Sequence, residues 1–207
     1  MTRVLLVEDS RMTREALENQ LRLSERYILK ASIENAANAE IACMGGNIDL
    51  ILMDVCTAYD ESGLTAAKTI KEHDPQIKII VMTSMPEHSF IQKAREYGCD
   101  GFWYKEDLEK DLISVCDSVM AGARIWPEST PVIRIGNTSS DKFTERELDV
   151  LKALAQGYRY EEISEKLNIS GNTLKYHIRN LLQKTGYRST LQLVVEVVDK
   201  KLILPRY

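Results

Sequence analysis

Asp49-Leu50-Ile51-Leu52-Met53-Asp54 sets four apolar residues between two carboxylates. Four are too few for an independent helix, and they show no polar alternation. The run therefore suits a strand covered on both faces, the kind that builds parallel sheets. In open sheets of that kind, ligands sit beyond the carboxyl ends of the strands, where Asp54 falls. Arg3-Val4-Leu5-Leu6-Val7 repeats the pattern and ends in Glu8-Asp9. Residues 27–33, 77–82 (ending in Thr83-Ser84) and 101–104 (ending in Lys105) complete a set of five strands. Helical spacing fills the intervals: residues 11–23, residues 36–44 closed by Gly45-Gly46, and residues 64–72 stopping before Pro75. A helix opened by Pro86 and stopped by Gly98 follows, then one from Leu108 to Met120 before Gly122. Five strand–helix units within residues 1–122 predict a doubly wound α/β domain with helices on both faces.

The chain of 207 residues, 44% hydrophobic and 28% charged, has the make-up of a soluble globular protein with room for two modest domains. Its apolar runs are far shorter than the roughly 20 residues of a membrane-spanning helix. No basic-then-apolar export pattern opens it, so a cytoplasmic setting is expected. Cys43, Cys56, Cys99 and Cys116 form no CxxC pair and have no histidine at metal spacing, which fits reduced, mostly buried thiols. Charge is unevenly placed. Residues 140–207 carry 12 Lys+Arg against 9 Asp+Glu, whereas the rest carries 15 against 22. An acidic front and a basic rear suggest different partners.

From Ala123 to Asp141 the periodicity lapses, and Pro127, Pro131, Gly136 and Asn137-Thr138-Ser139-Ser140 mark a linker over 123–141. Residues 142–207 then read as four short helices. Thr144-Glu145-Arg146-Glu147 is a capping box, with Leu148, Leu151 and Leu154 continuing its helix to Gly157. Residues 161–167 form a brief second helix, Ser170 caps a third that lasts to about Thr185, and Ser189 with Gln192 caps a fourth.

Glu8, Asp9, Asp54, Thr83 and Lys105 all fall just past strand ends, along one rim. Three carboxylates held together repel, and each has a raised pKa unless a cation joins them. Glu8, Asp9 and Asp54 supply only a few oxygens. A hard ion that keeps waters and accepts phosphate oxygens, Mg²⁺, suits them best. Lys105 and the Thr83 hydroxyl would then hold the other oxygens of a phosphoryl group on Asp54.

These residues resemble the receiver domain of bacterial two-component response regulators, over residues 1 to about 122. The resemblance implies a flavodoxin-like five-stranded parallel sheet. It implies Asp54 as phosphoacceptor for a sensor histidine kinase, and Asp9 as a direct metal ligand with Glu8 acting partly through water. The Cys56 backbone carbonyl would be a further ligand, Thr83 the switch hydroxyl and Phe102 the aromatic that moves with it. The Cys56 and Met85 side chains occupy positions that tune hydrolysis of the acyl phosphate, and neither positions water well. The pattern breaks once: Ala58 stands where receivers usually have proline and Gly63 arrives about one residue late, which predicts a reshaped loop over 55–62. Haloacid dehalogenase-like phosphatases also form aspartyl phosphates, but they need a second Asp two residues on, and here that position is Cys56.

In the third rear helix Asn172, Lys175, Tyr176 and Arg179 share one face, and Leu174, Ile178 and Leu181 take the other. With a short helix and a tight turn before it, this is the layout of helix-turn-helix recognition in a major groove. Residues 143–202 resemble the LuxR-type helix-turn-helix of the NarL/FixJ regulators, through Thr144, Glu147, Gly157, Glu162-Ile163, Ile169-Ser170, Thr173-Leu174-Lys175, His177 and Gly186-Tyr187-Arg188-Ser189. That resemblance implies a small all-α DNA-binding domain in which Lys175, Tyr176 and Arg179 face bases while Thr173 and Arg188 approach phosphates. It further implies a homodimer on paired half-sites when active. Arg159-Tyr160 replaces the small polar residues usual before the second helix, so a weak cap is expected there. His177 is expected to pack or cap within the bundle. A rival to the phosphoswitch keeps the DNA-binding role but makes the front domain a phosphorylation-independent dimerisation or partner-binding module.

Overall fold

The computed structural model describes residues 1–45, 47–105, 111–200 and 202–203. It divides into two compact units, Met1–Ser129 and Thr130–Tyr207. In the first, strands and helices alternate: β1 (Thr2–Val7), α1 (Arg11–Leu23), β2 (Tyr27–Ile33), α2 (Ala39–Cys43), β3 (Leu50–Asp54), α3 (Gly63–His73), β4 (Lys78–Thr83), α4 (His88–Glu96), β5 (Gly101–Tyr104) and α5 (Leu112–Met120). The strands pair in the order β2-β1-β3-β4-β5, every pair parallel. Because β1 lies between β2 and β3, the chain changes direction across the sheet at that pair. A crevice therefore opens between the carboxyl ends of β1 and β3.

Alternation along the strands divides the core in two. Val4, Leu6, Leu50, Leu52, Ile80, Met82 and Trp103 pack with Leu17 and Leu21 of α1 and with Val115, Cys116 and Val119 of α5. Offset by one, Leu5, Val7, Ile51, Met53, Ile79 and Val81 are equally buried on the opposite face. Helices α2, α3 and α4 cover that face. Both faces of β3 are thus sealed, which is why its sequence runs apolar without alternation. Each such aliphatic side chain contributes roughly 1.5–3 kcal/mol by burial. At the entrance to β3, Asp49 takes the Arg3 backbone amide at 2.8 Å and its guanidinium at 2.6 and 2.9 Å. The side-chain bond to Arg3 pulls the Asp49 carboxyl down to about 2.

Three local differences from the sequence-based expectation have physical causes. The 36–44 helix is split: Asn35 caps a single tight turn over Ala36–Asn38 by accepting from the Ala37 amide at 2.7 Å, and only then does α2 begin. Pro86 stands two residues before α4, in a segment held by the Thr83 hydroxyl, which accepts the Met85 amide at 3.1 Å. The expected start of the last helix at Leu108 lies outside the described residues. Within them, α5 begins at Leu112, with Asp111 capping the Ser114 amide at 2.9 Å.

Residues 123–141, read from sequence as a linker, carry regular structure in both units. Ile125 extends the sheet past β5, its carbonyl accepting the Phe102 amide at 2.8 Å and its own amide donating to Asp100 at 3.2 Å. In the second unit β6 (Arg134–Ile135) and β7 (Thr138–Ser139) form an antiparallel ribbon. It turns at Gly136, whose φ of 55° favours glycine. Ile135 is buried in the second core. Around that core stand α6 (Glu145–Ala155), α7 (Tyr160–Lys166), α8 (Gly171–Thr185) and α9 (Thr190–Asp199). The capping box forms as expected: Thr144 and Glu147 exchange side-chain-to-backbone bonds at 2.9 and 3.2 Å. Glu147 also receives Lys184 of α8 at 2.7 Å, tying the two helices together.

Candidate functional sites

Glu8 and Asp9 follow β1, Asp54 ends β3, Thr83 ends β4 and Lys105 follows β5, so all five stand at the carboxyl rim. Lys105 Nζ lies 2.5 Å from Glu8 Oε2 and 2.9 Å from Asp54 Oδ2. One carboxylate oxygen from each of Glu8, Asp9 and Asp54 lies within 4.8 Å of the others. Glu8 and Asp54 are only 1% and 6% exposed, whereas Asp9 is open to solvent. Burial, with the charges of Glu8 and Asp9 added, pushes the Asp54 carboxyl up to about 7 against the opposing pull of Lys105. Burial alone would lower the Lys105 ammonium, but Asp54 and Glu8 outweigh it and its pKa rises. One ammonium among three carboxylates leaves negative charge uncompensated. Hard oxygen donors gathered at one spot, partly open through Asp9, fit a divalent ion such as Mg²⁺.

Around this centre, Thr83 is 2% and Phe102 1% exposed. The Phe102 ring meets Tyr104 edge to face at 5.2 Å. Cys56 Sγ and Met85 Sδ stand 3.8 Å apart.

The loop after Asp54 is a closed pinch. Cys56 bridges back to Ser62, and the Gly63 amide donates to the Val55 carbonyl at 3.0 Å. The Thr57 hydroxyl donates to the Glu61 carbonyl at 2.8 Å and accepts the Ala36 amide at 3.0 Å, while the Ala58 amide reaches Glu34. At its tip Tyr59 adopts φ 63° and is 89% exposed. Sequence reasoning missed Thr57 as the anchor. A hydroxyl in a polar loop was the only available signal.

In the second unit α7, a turn at Asn168 (φ 51°) and α8 form the helix-turn-helix. Ser170 caps α8 by accepting the Thr173 amide at 3.1 Å. Asn172, Thr173, Lys175, Tyr176 and Arg179 are exposed, while Leu174, Ile178 and Leu181 are buried behind them. Arg188 is exposed beyond Gly186, which ends α8 at φ 78°. His177 is half-buried, its ring 5.7 Å from that of Tyr176. The cap of α7 is half made. Arg159 has no side-chain acceptor to offer, and only the Glu162 carboxylate closes the turn, taking the Arg159 amide at 2.7 Å.

Residues 4–117 match the response regulator receiver domain, and residues 141–197 match the bacterial regulatory proteins of the luxR family. The chain belongs to the response regulators. It is 30% identical over 221 residues to YxjL of Bacillus subtilis, described as an uncharacterized transcriptional regulatory protein, covering 97% of each chain. To the response regulator protein VraR of Staphylococcus aureus it is 28% identical, covering 97% of this chain and 98% of that one. In fold it is similar to RcsB of Salmonella typhimurium, with a TM-score of 0.56 at 22% identity over 96% of this chain and 98% of that one. Its two family matches make this response regulator a phosphorylation-controlled transcription regulator, in a family of DNA-binding proteins rather than a known enzyme class. Among the described residues, no helix is long and apolar enough to cross a membrane.

A Cβ on Gly63 would stand 1.8 Å from the Asp54 carbonyl oxygen and 2.9 Å from the Met53 side chain, so the loop closes only on glycine. Gly63→Ala is expected to lower stability by about 1–3 kcal/mol, as overpacking does. It should also pull the loop off the strand end. Thermal unfolding of the variant measures the first effect, and an unchanged midpoint would show that the pinch does not depend on this close approach.

Proposed function

We propose that Asp54 of this response regulator accepts a phosphoryl group from a sensor histidine kinase. The observation that carries the reading is the Lys105 bridge between buried Glu8 and Asp54 at the end of the central strand. In the transfer a carboxylate oxygen of Asp54 bonds to phosphorus as the phosphorus–nitrogen bond of the donor phosphohistidine breaks. Glu8, Asp9, Asp54 and the Cys56 backbone carbonyl would hold Mg²⁺, which supplies positive charge against the phosphoryl oxygens and the repelling carboxylates. Lys105 shifts from the Asp54 carboxylate to a phosphoryl oxygen, exchanging one anion for another without leaving its place. The Thr83 hydroxyl turns from the Met85 amide to another such oxygen, and Phe102 follows into the space vacated.

The phosphorylated form is a redistribution between two packings. Its output is a homodimer whose two α8 helices enter successive major grooves at paired half-sites. In this reading residues 1–122 are the receiver, 123–141 the connection and 142–207 the DNA-binding domain, working in the cytoplasm. Lys175, Tyr176, Arg179 and Asn172 face base edges, and Thr173 and Arg188 face phosphates.

Incubation with Mg²⁺ and a small phosphodonor should give an acid-stable, base-labile phosphate that is absent in Asp54→Asn. The adduct should outlast seconds, because sulfur atoms at Cys56 and Met85 orient attacking water poorly. Failure to label the wild-type chain would remove the phosphoswitch and leave the phosphorylation-independent module in its place. For the second unit, Lys175→Ala or Arg179→Ala should each weaken specific DNA binding by about 1–3 kcal/mol, the worth of one side chain paired with a base edge. Helicity should not change. Wild-type footprints from both variants would mean that α8 reads DNA with another face.

A further inference from the structure

Beside the reading face of α8 runs a groove whose lining includes Tyr160, Lys175, Arg179, Tyr187 and Arg188. Ile178 and Leu182 contribute apolar surface to it, and no carboxylate lines it among the described residues. The groove thus gathers three cations, Lys175, Arg179 and Arg188, without an acid. Tyr160 stands at the first position of α7 and is 40% exposed. Among the described residues nothing hydrogen-bonds its hydroxyl. For Tyr187, by contrast, burial and the nearby Glu196 carboxylate raise the pKa of its hydroxyl.

A sugar–phosphate backbone alternates apolar and anionic units, which matches the apolar surface of Ile178 and Leu182 flanked by Arg188 and one available phenol, with Lys175 and Arg179 on the side toward the bases. Resting on the DNA-binding reading above, we propose that this groove seats one DNA strand's backbone beside the entering α8, and that Tyr160 is a phosphate-contacting residue within it. In helix-turn-helix proteins the first helix crosses the backbone, which is where Tyr160 stands. Glu162 does not oppose this, since its carboxylate turns back onto the Arg159 amide. Tyr160 differs from Arg188 in charge. A neutral donor strengthens binding without displacing a counterion, whereas each cation on a phosphate adds about 0.9 to the salt slope.

The test measures binding of the full chain to its operator duplex and to a scrambled duplex over a range of salt, for wild type, Tyr160→Phe and Arg188→Gln. Removing one phosphate hydrogen bond should cost Tyr160→Phe about five- to tenfold in affinity. The loss should be equal on both duplexes, with an unchanged salt slope. Arg188→Gln should lower the slope by about 0.9. Wild-type affinity for Tyr160→Phe while Arg188→Gln weakens would overturn the assignment and leave DNA binding intact. So would a loss confined to the operator, which would make Tyr160 a reader of bases. Lack of operator preference in the wild type would instead strike the DNA-binding reading itself. Phenylalanine keeps the ring packing, so equal unfolding midpoints separate the hydroxyl's contribution from folding.

Discussion

The ammonium of Lys105, held between Glu8 and Asp54, is the interaction on which the front unit's site depends. Two carboxylates almost without solvent exposure cannot both be ionised at low cost in an apolar surround. The amine offsets part of that cost, and in the proposed mechanism a divalent ion and then a phosphoryl group would meet the rest. Its position is fixed by backbone as well as charge, because the Lys105 amide donates to the Thr83 carbonyl at 3.0 Å. Lys105, which pairs with Asp54, is thereby tied to β4, the strand that carries the Thr83 hydroxyl. On the proposed mechanism a change at the carboxylate would reach β4 and β5 together, and Phe102 lies on the second of these.

The loop after Asp54 shows how a local departure is absorbed. Without proline at position 58, the conformation has to come from bonds, and Thr57 supplies them to Glu61 and to Ala36. The late glycine has its reason in the bridge from Cys56 to Ser62, which brings residue 63 against the Asp54 carbonyl. The loop is held by its anchors, and the end of the strand that carries Asp54 is held by the same bonds.

Much of this was legible in the sequence where burial is symmetrical or patterned. Leu50 to Met53 reads as a strand because both faces are covered, and residues 11–23 coincide with α1 because its apolar spacing is regular. The five rim residues are legible for a topological reason, since parallel strands end on one side. What escaped reading is short or set by single side chains. Two-residue strands such as Arg134–Ile135 carry no period, the break at Ala36–Asn38 is one asparagine cap, and the closeness of Gly63 to Asp54 is an approach across a turn. On α8 the exposed and buried faces were legible from spacing, while the groove beside it draws on residues from α7 and from beyond Gly186.

The uneven charge constrains how the halves cooperate. Phosphorylation adds about −1.5 to −2 of charge to whatever carries it, and residues 1–139 are already acidic, with 15 Lys+Arg against 22 Asp+Glu. An electrostatic effect on DNA, acting directly from Asp54, would be repulsive and screened within about 8–10 Å at physiological salt. Any strengthening of DNA binding by phosphorylation would therefore come only from a change in which packing, or which dimer, the protein populates. Under the proposed mechanism, that places the demand for signal transmission on Lys105, Thr83 and Phe102. Thr83 and Phe102 are buried and the Lys105 side chain is only 11% exposed; a packed core has discrete alternatives, where a solvated cluster would merely relax.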